Sequence, residues 1–219
     1  SYFNFSMIFL VRHFFIFWLY LMENQGIIIF LLGVSGSGKT TIVNKLITEN
    51  PEKYMLIQSY TTRPPRMGEK PGEKYFFVSP EEFEKSIENN EFIEYAFVHH
   101  SYYYGTKRQS LIDAIKQQKI AFKEIDTEGL SILKKQNLSE MSYKSIFLNL
   151  DKETMIHRIT NRAPISEEEL AHRIESSSKE LIQANQICDI IIDGSGNIEE
   201  ITKIVAETIE NLIKKNLTE

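Results

Sequence analysis

The chain has 219 residues, 42% of them hydrophobic and 25% charged, a balance that excludes intrinsic disorder and suits one domain or one core carrying small insertions. A formal net charge of −5 excludes a general nucleic-acid coating protein, but not a local basic pocket for one nucleotide. The single cysteine, Cys188, excludes an intrachain disulfide and a cysteine metal cluster, and points to a reducing, cytoplasmic setting. Cys188 itself is expected to be a small core residue beside the apolar run Ile190–Ile192.

Residues 1–21 stand apart. They are dominated by Phe and contain no acidic residue. Arg12 and His13 interrupt the stretch too early for a membrane span, and it lacks the basic start and small-residue cleavage site of a signal peptide. The favoured expectation is an artefactual upstream extension, with the folded unit starting at Met22; a membrane anchor is the alternative.

From there the elements follow in order. Ile27–Leu32 is a continuous apolar, β-branched run, as in a buried parallel strand. Thr40–Glu49 has helical spacing at Ile42, Val43, Leu46 and Ile47, and Asn50-Pro51 ends it. Met55–Ser59 reads as a short strand, Arg63–Gly72 as a loop, and Tyr75–Val78 as a strand. Ser79-Pro80-Glu81-Glu82 is a capping box with Pro at the first helical position. Phe92–Val98 and Tyr102–Tyr104 are further strand pieces, and Ser110–Gln117 is helical. Ile120–Ile125 is a strand, followed by a turn at Thr127–Gly129 and a helix from Leu130. Ser145–Leu150 is a strand and Lys152–Thr160 a helix. Ser166–Glu169 is a second capping box, opening a helix toward Ala184. Ile190–Ile192 is the last strand and Ile198–Lys215 a closing helix. Alternating strands and helices predict an α/β fold with a mostly parallel sheet covered on both faces. Residues 60–106, where strand signals crowd, predict a β-rich insertion.

Between the first strand and helix lies Gly33-Val34-Ser35-Gly36-Ser37-Gly38-Lys39-Thr40, which fits G-x-x-x-x-G-K-[ST] at every fixed position, followed by Thr41. Glycines let backbone N–H groups surround phosphate oxygens, and the helix N-terminus adds positive potential. Lys39 is placed to neutralise β/γ oxygens of a triphosphate and the Thr40 hydroxyl to ligate Mg²⁺. This motif leaves the phosphoryl acceptor open. In the second informative stretch, Ser59–Ser79, Arg63 and Arg66 stand three apart in a proline-stiffened loop, with Tyr75 following. Two guanidinium forks there fit an anion clamp as well as a solvated surface. His99 and His100 are read as loop residues, since no third ligand accompanies them.

The pattern Thr-Thr-Arg63-x-x-Arg66-x-Gly-Glu-x-x-Gly-x-x-Tyr75-x-Phe-Val-Ser79 resembles the guanylate kinase family. Phe92-Ile-Glu94-Tyr-Ala, Tyr104-Gly-Thr106, Glu124-Ile-Asp126-Thr-Glu-Gly129 and Arg158-x-x-x-Arg162 leading to Arg173 follow in the family's order. The resemblance covers residues 26–215 and none of 1–21. It implies a P-loop NTPase-type sheet with a core of residues 22–58, 107–153 and 185–219, a GMP-binding insert over 59–106 and a helical lid over 154–184. It implies that Arg63, Arg66, Tyr75 and Tyr104 hold the GMP phosphate, with Tyr103 as the alternative to Tyr104. Ser59, Glu94 and Thr106 would read guanine, and Glu124 and Asp126 would face the acceptor and the water shell of Mg²⁺. Arg158, Arg162 and Arg173 would close over ATP. The implied activity is ATP-dependent phosphorylation of GMP, and of dGMP, by a monomer or homodimer without nucleic-acid or stable membrane partners. Val34 stands where the family has Pro, Thr41 where Gly or Ser is frequent, and Glu128 where Gln is usual. The rivals are a non-catalytic phosphopeptide-binding module of the same fold and a kinase for another small phosphate acceptor.

Overall fold

The computed structural model describes residues 26–98, 101–136, 138, 141–162 and 164–216, with the backbone alone at 162, 215 and 216. The expectations for residues 1–21, for a start at Met22, for His99 and His100, and for the side chain of Arg162 lie outside the described residues.

A five-stranded parallel sheet forms the centre, in the order β2 (Tyr54–Leu56), β7 (Ile120–Glu124), β1 (Ile27–Gly33), β8 (Tyr143–Asn149), β9 (Ile190–Asp193). The apolar run of β1 belongs in the middle because both its faces are covered. Ile28, Phe30 and Leu32 pack on one side with Leu111 of α3 (Arg108–Lys116), Leu130 and Leu133 of α4 (Thr127–Lys135), and Phe147. Ile27, Ile29 and Leu31 pack on the other with Ile42, Val43 and Leu46 of α1 (Lys39–Glu49) and Val205 and Ile209 of α7 (Ile198–Asn216). Cys188 is partly buried against the first of these clusters. No helix among the described residues is long and apolar enough to cross a membrane.

A second, mixed sheet runs β4 (Tyr75–Phe77), β3 (Ser59–Thr61), β6 (Tyr102–Lys107), β5 (Phe92–Val98). Its small core is aromatic. Phe83 of α2 (Pro80–Glu88) stacks on Phe92 at 4.2 Å and on Tyr103 at 5.0 Å between ring centroids. Glycine at 105 makes room for this stack, since a Cβ there would lie 2.8 Å from Phe92 Cδ1. The Ser79 capping box forms in full, with Ser79 Oγ accepting from Glu82 N–H and Glu82 accepting from Ser79 N–H.

Three local expectations change. Met55–Ser59 is not one strand: β2 ends at Leu56, the Ile57 N–H makes a last bond to Phe122 O, and the chain crosses to the second sheet as β3. The turn expected at Thr127–Gly129 is the first turn of α4, because Asp126 caps it with Oδ1 accepting from Gly129 N–H at 2.7 Å. Gly129 serves close packing there, as a Cβ would lie 2.8 Å from Ile125 Cγ1. Ser166 caps α6 (Glu167–Ile187), but Glu169 pairs with Arg173, one turn on, at 2.5 Å.

Phe83 is fully buried at the hub of the aromatic stack. Phe83→Ala should therefore cost about 3–5 kcal/mol in denaturant unfolding. A loss no larger than that of a surface substitution would show that the second sheet does not depend on this ring.

Candidate active site

The phosphate loop begins where β1 runs out. Gly33 cannot carry a side chain, because its Cβ would meet Leu148 O at 2.5 Å. Gly38, at φ 84°, starts α1 with no side-chain cap, so the helix's first N–H groups remain for a ligand. The Lys39 ammonium folds back onto the loop, donating to Gly33 O, to Val34 O at 3.3 Å and to Ser37 Oγ at 3.4 Å. Burial lowers its pKa, against the pull of Glu124 and Glu180. Ser37 and Val34 are buried, Ser35 and Gly36 half-exposed, and Thr41 exposed. The Val34 N–H donates to Leu148 O at 3.3 Å, a bond that proline at this position could not make.

The pairing of Leu31 with Glu124 places the end of β7 beside this loop. Thr40 Oγ1 donates to Glu124 Oε2 at 3.0 Å, and Lys74 Nζ reaches both atoms, at 3.0 and 3.2 Å. The other carboxylate oxygen, Glu124 Oε1, is buried without a hydrogen-bond partner. That orphaned oxygen beside the Thr40 hydroxyl fits the neighbourhood of a hydrated divalent cation. Among the described residues no cluster of three or more His, Cys, Asp or Glu is placed to hold a metal ion.

A cavity of about 690 Å³ opens over this junction and continues to the second sheet. Gly33, Ser35 and Lys39 line one part; Ser59, Tyr75, Glu94, Tyr104 and Asp126 line the rest. Glu94 and Thr106 face each other across β5 and β6, and the Thr106 hydroxyl donates to the Glu94 carboxylate. Burial raises the Glu94 pKa, opposed by the Thr106 bond and by Lys123. Arg63 is buried. It donates Nε to Tyr104 Oη at 3.1 Å, and its Nη2 reaches both oxygens of Glu69 at 3.0 and 2.9 Å. Tyr75 packs edge-on to Tyr104, whereas Tyr103 stacks on Phe83 in the aromatic core. Burial raises the Tyr75 hydroxyl's pKa. Arg66 is exposed.

A second cavity of about 250 Å³ lies between Ser35 and Gly36 on one side and Arg158, Glu169 and Arg173 on the other. Arg158, on α5 (Lys152–Arg162), donates to Gly36 O at 3.4 Å and to Gly196 O at 2.6 Å. Arg173 is held by Glu169. The structure thus gathers Gly33, Ser35 and Lys39 of the loop with Ser59, Tyr75, Glu94, Tyr104, Glu124 and Asp126 on one cavity, leaves Arg63, Arg66 and Thr106 outside its lining, and sets Arg158 and Arg173 on the neighbouring one.

Four residues that sequence reasoning did not single out belong to this site. Lys74 bridges Thr40 and Glu124; Glu69 neutralises Arg63; Glu180 of α6 lines the main cavity. Lys123, only 1% exposed, donates to Ser59 Oγ at 2.5 Å, and burial lowers its pKa to about 8. A lysine directly after the apolar run Ile120–Phe122, within a strand expected to be buried, was a visible signal for the last.

The guanylate kinase family model matches residues 25–212. A guanylate kinase of Onion yellows phytoplasma is 35% identical over 176 residues, covering 78% of this chain and 80% of the relative. One from Helicobacter pylori is 34% identical over 196 residues, covering 88% and 92%. The crystal structure of guanylate kinase from Anaplasma phagocytophilum superposes with a TM-score of 0.66 at 25% identity, covering 89% of each chain. The chain belongs to the guanylate kinase family.

Proposed function

We propose that this protein transfers the γ-phosphoryl group of ATP to GMP, and to dGMP, yielding ADP and GDP. One observation carries the reading: the phosphate loop, Ser59 and Glu94, the last held by the buried Thr106, open on the same cavity, so donor and acceptor lie within reach of each other. The intact loop favours catalysis over phosphopeptide binding, and the partly buried carboxylate of Glu94 on the cavity wall favours guanine over another small acceptor. In the same reading residues 59–106 are the GMP-binding insert, residues 154–184 a lid, and the rest of 22–219 the core. The enzyme works in the cytoplasm as a monomer or homodimer.

The loop from Gly33 to Thr41 binds the ATP phosphates through its N–H groups, and Lys39 leaves its carbonyl partners to take up phosphate oxygens. Arg63, Arg66, Tyr75 and Tyr104 hold the GMP phosphate, with Arg63 trading Glu69 for it. Glu94 accepts from guanine N1–H and the two-amino group, while the Ser59 and Thr106 hydroxyls complete the base site; adenine offers no such pair of donors. Thr40 would hold Mg²⁺, with Glu124 and Asp126 facing its water shell, and the ion would neutralise charge on the β- and γ-phosphates. A GMP phosphate oxygen attacks the γ-phosphorus in line as the bond to ADP breaks. Arg158, Arg162 and Arg173 stabilise the charge on the transferring group. Positioning and electrostatics suffice, without a covalent enzyme intermediate.

A coupled assay with ATP should show turnover of GMP far above that of AMP; no turnover of GMP contradicts the assignment. Lys39→Ala should lower kcat by roughly 10²–10³-fold while leaving GMP binding, read by calorimetry, unchanged. Loss of GMP binding in step with kcat would instead place Lys39 in the acceptor site. Glu94→Gln should cut GMP-over-AMP selectivity by roughly 10-fold or more. Because burial raises the Glu94 pKa, protonation on acidification sets in at higher pH than for an exposed carboxylate. Selectivity should therefore fade as pH falls, and a profile flat to strongly acid pH would exclude Glu94 as the ionised reader.

A further inference from the structure

Lys123 has no part in the mechanism above, yet its place in the fold is costly. It is 1% exposed on β7, where its neighbours Ala121 and Phe122 are apolar and fully buried. A buried ammonium loses its hydration, and an apolar side chain of the same length would fill the space without that cost. Its donors go to two acceptors at the start of the second sheet: Ser59 Oγ at 2.5 Å and Gln58 O at 3.4 Å. The charged groups acting on it are Glu94 from β5, Glu124 from its own strand and Lys74 from the loop before β4; Asp126 acts in turn on Glu94.

This contact constrains Ser59. A hydroxyl has one proton and two lone pairs, and an ammonium has no lone pair to accept with. With Lys123 donating, one Ser59 lone pair is taken and its proton must turn elsewhere. Ser59 lines the cavity that also holds Glu94. An O–H polarised by a cation behind it is a stronger donor toward a keto oxygen, and that positive charge opposes an amino group in the same place.

We propose that Lys123 is a specificity-determining positioning residue: from behind Ser59 it fixes that hydroxyl as a donor toward the base, so that a six-oxo purine is taken and a six-amino purine refused. The inference rests on the assignment of guanine to the Ser59–Glu94–Thr106 group.

The test compares GMP, inosine monophosphate and AMP as acceptors for the unaltered enzyme and Lys123→Met at neutral pH. Inosine monophosphate keeps the six-oxygen and N1–H but lacks the two-amino group. In Lys123→Met, kcat/KM for GMP and for inosine monophosphate should both fall by roughly 10–100-fold, chiefly through KM, with AMP use and the KM for ATP unchanged. In a Ser59→Ala background the same substitution should change GMP use far less, because both alterations remove one unit. An equal fall for all three acceptors, an unchanged GMP-to-AMP ratio, or additive effects of the two substitutions would overturn the proposal. An unaltered enzyme that uses GMP and AMP equally would instead overturn the guanine assignment itself. Replacing the ammonium with an apolar chain is not expected to unfold the protein; thermal melting checks this, and Lys123→Leu repeats the comparison independently.

Discussion

The parallel pairing of β1 with β7 sets Leu31 opposite Glu124, and the chemistry of the molecule depends on that register. In an open parallel sheet the strand ends that share an edge deliver their following loops to the same place. Here one end supplies the phosphate loop and the other supplies Glu124 and, two residues on, Asp126. A one-residue slip would turn Glu124 to the opposite face of the sheet and leave Thr40 without its carboxylate partner. The continuous burial of Ile28 to Leu32 holds the register, because each of these side chains already has a core to fill on its own face.

The second sheet is built on different terms. Its strands are short, its core is an aromatic stack around Phe83, and its polar groups face the cavity. Charges in and under that cavity balance locally. Lys74 and Thr40 share Glu124, Arg63 is held by Glu69, and Lys123 lies near Glu94. Each pairing lets a charge sit partly or wholly out of water. In the proposed reaction Arg63 would exchange Glu69, and Lys39 its carbonyl partners, for phosphate oxygens.

Much of this was legible in the chain. The phosphate loop is a local pattern bounded by an apolar strand and an amphipathic helix, so spacing alone located it. The capping box at Ser79 needed only four residues. What stayed hidden was set by distance in sequence. Lys123 is visibly odd at the end of the apolar run Ile120–Phe122, but its partner Ser59 lies 64 positions away, in the other sheet. Glu69 sits within the recognised arginine motif, yet nothing in the spacing says that it folds back onto Arg63. The Thr127–Gly129 segment looked like a turn because Gly129 suggested one; capping by Asp126 turned it into helix. Tyr103 and Tyr104 are adjacent and chemically alike, and only strand alternation on β6 sends one into the aromatic core and the other to Arg63.

The central claim is that one continuous cavity holds donor and acceptor nucleotides together. Calorimetry with an adenosine and a guanosine joined through a polyphosphate chain long enough to span both sites tests it most directly. One molecule should bind per chain, roughly 10²-fold or more tighter than ATP or GMP alone, and either nucleotide should displace it. Displacement by only one of them, or affinity no better than the stronger single nucleotide, would contradict a shared cavity.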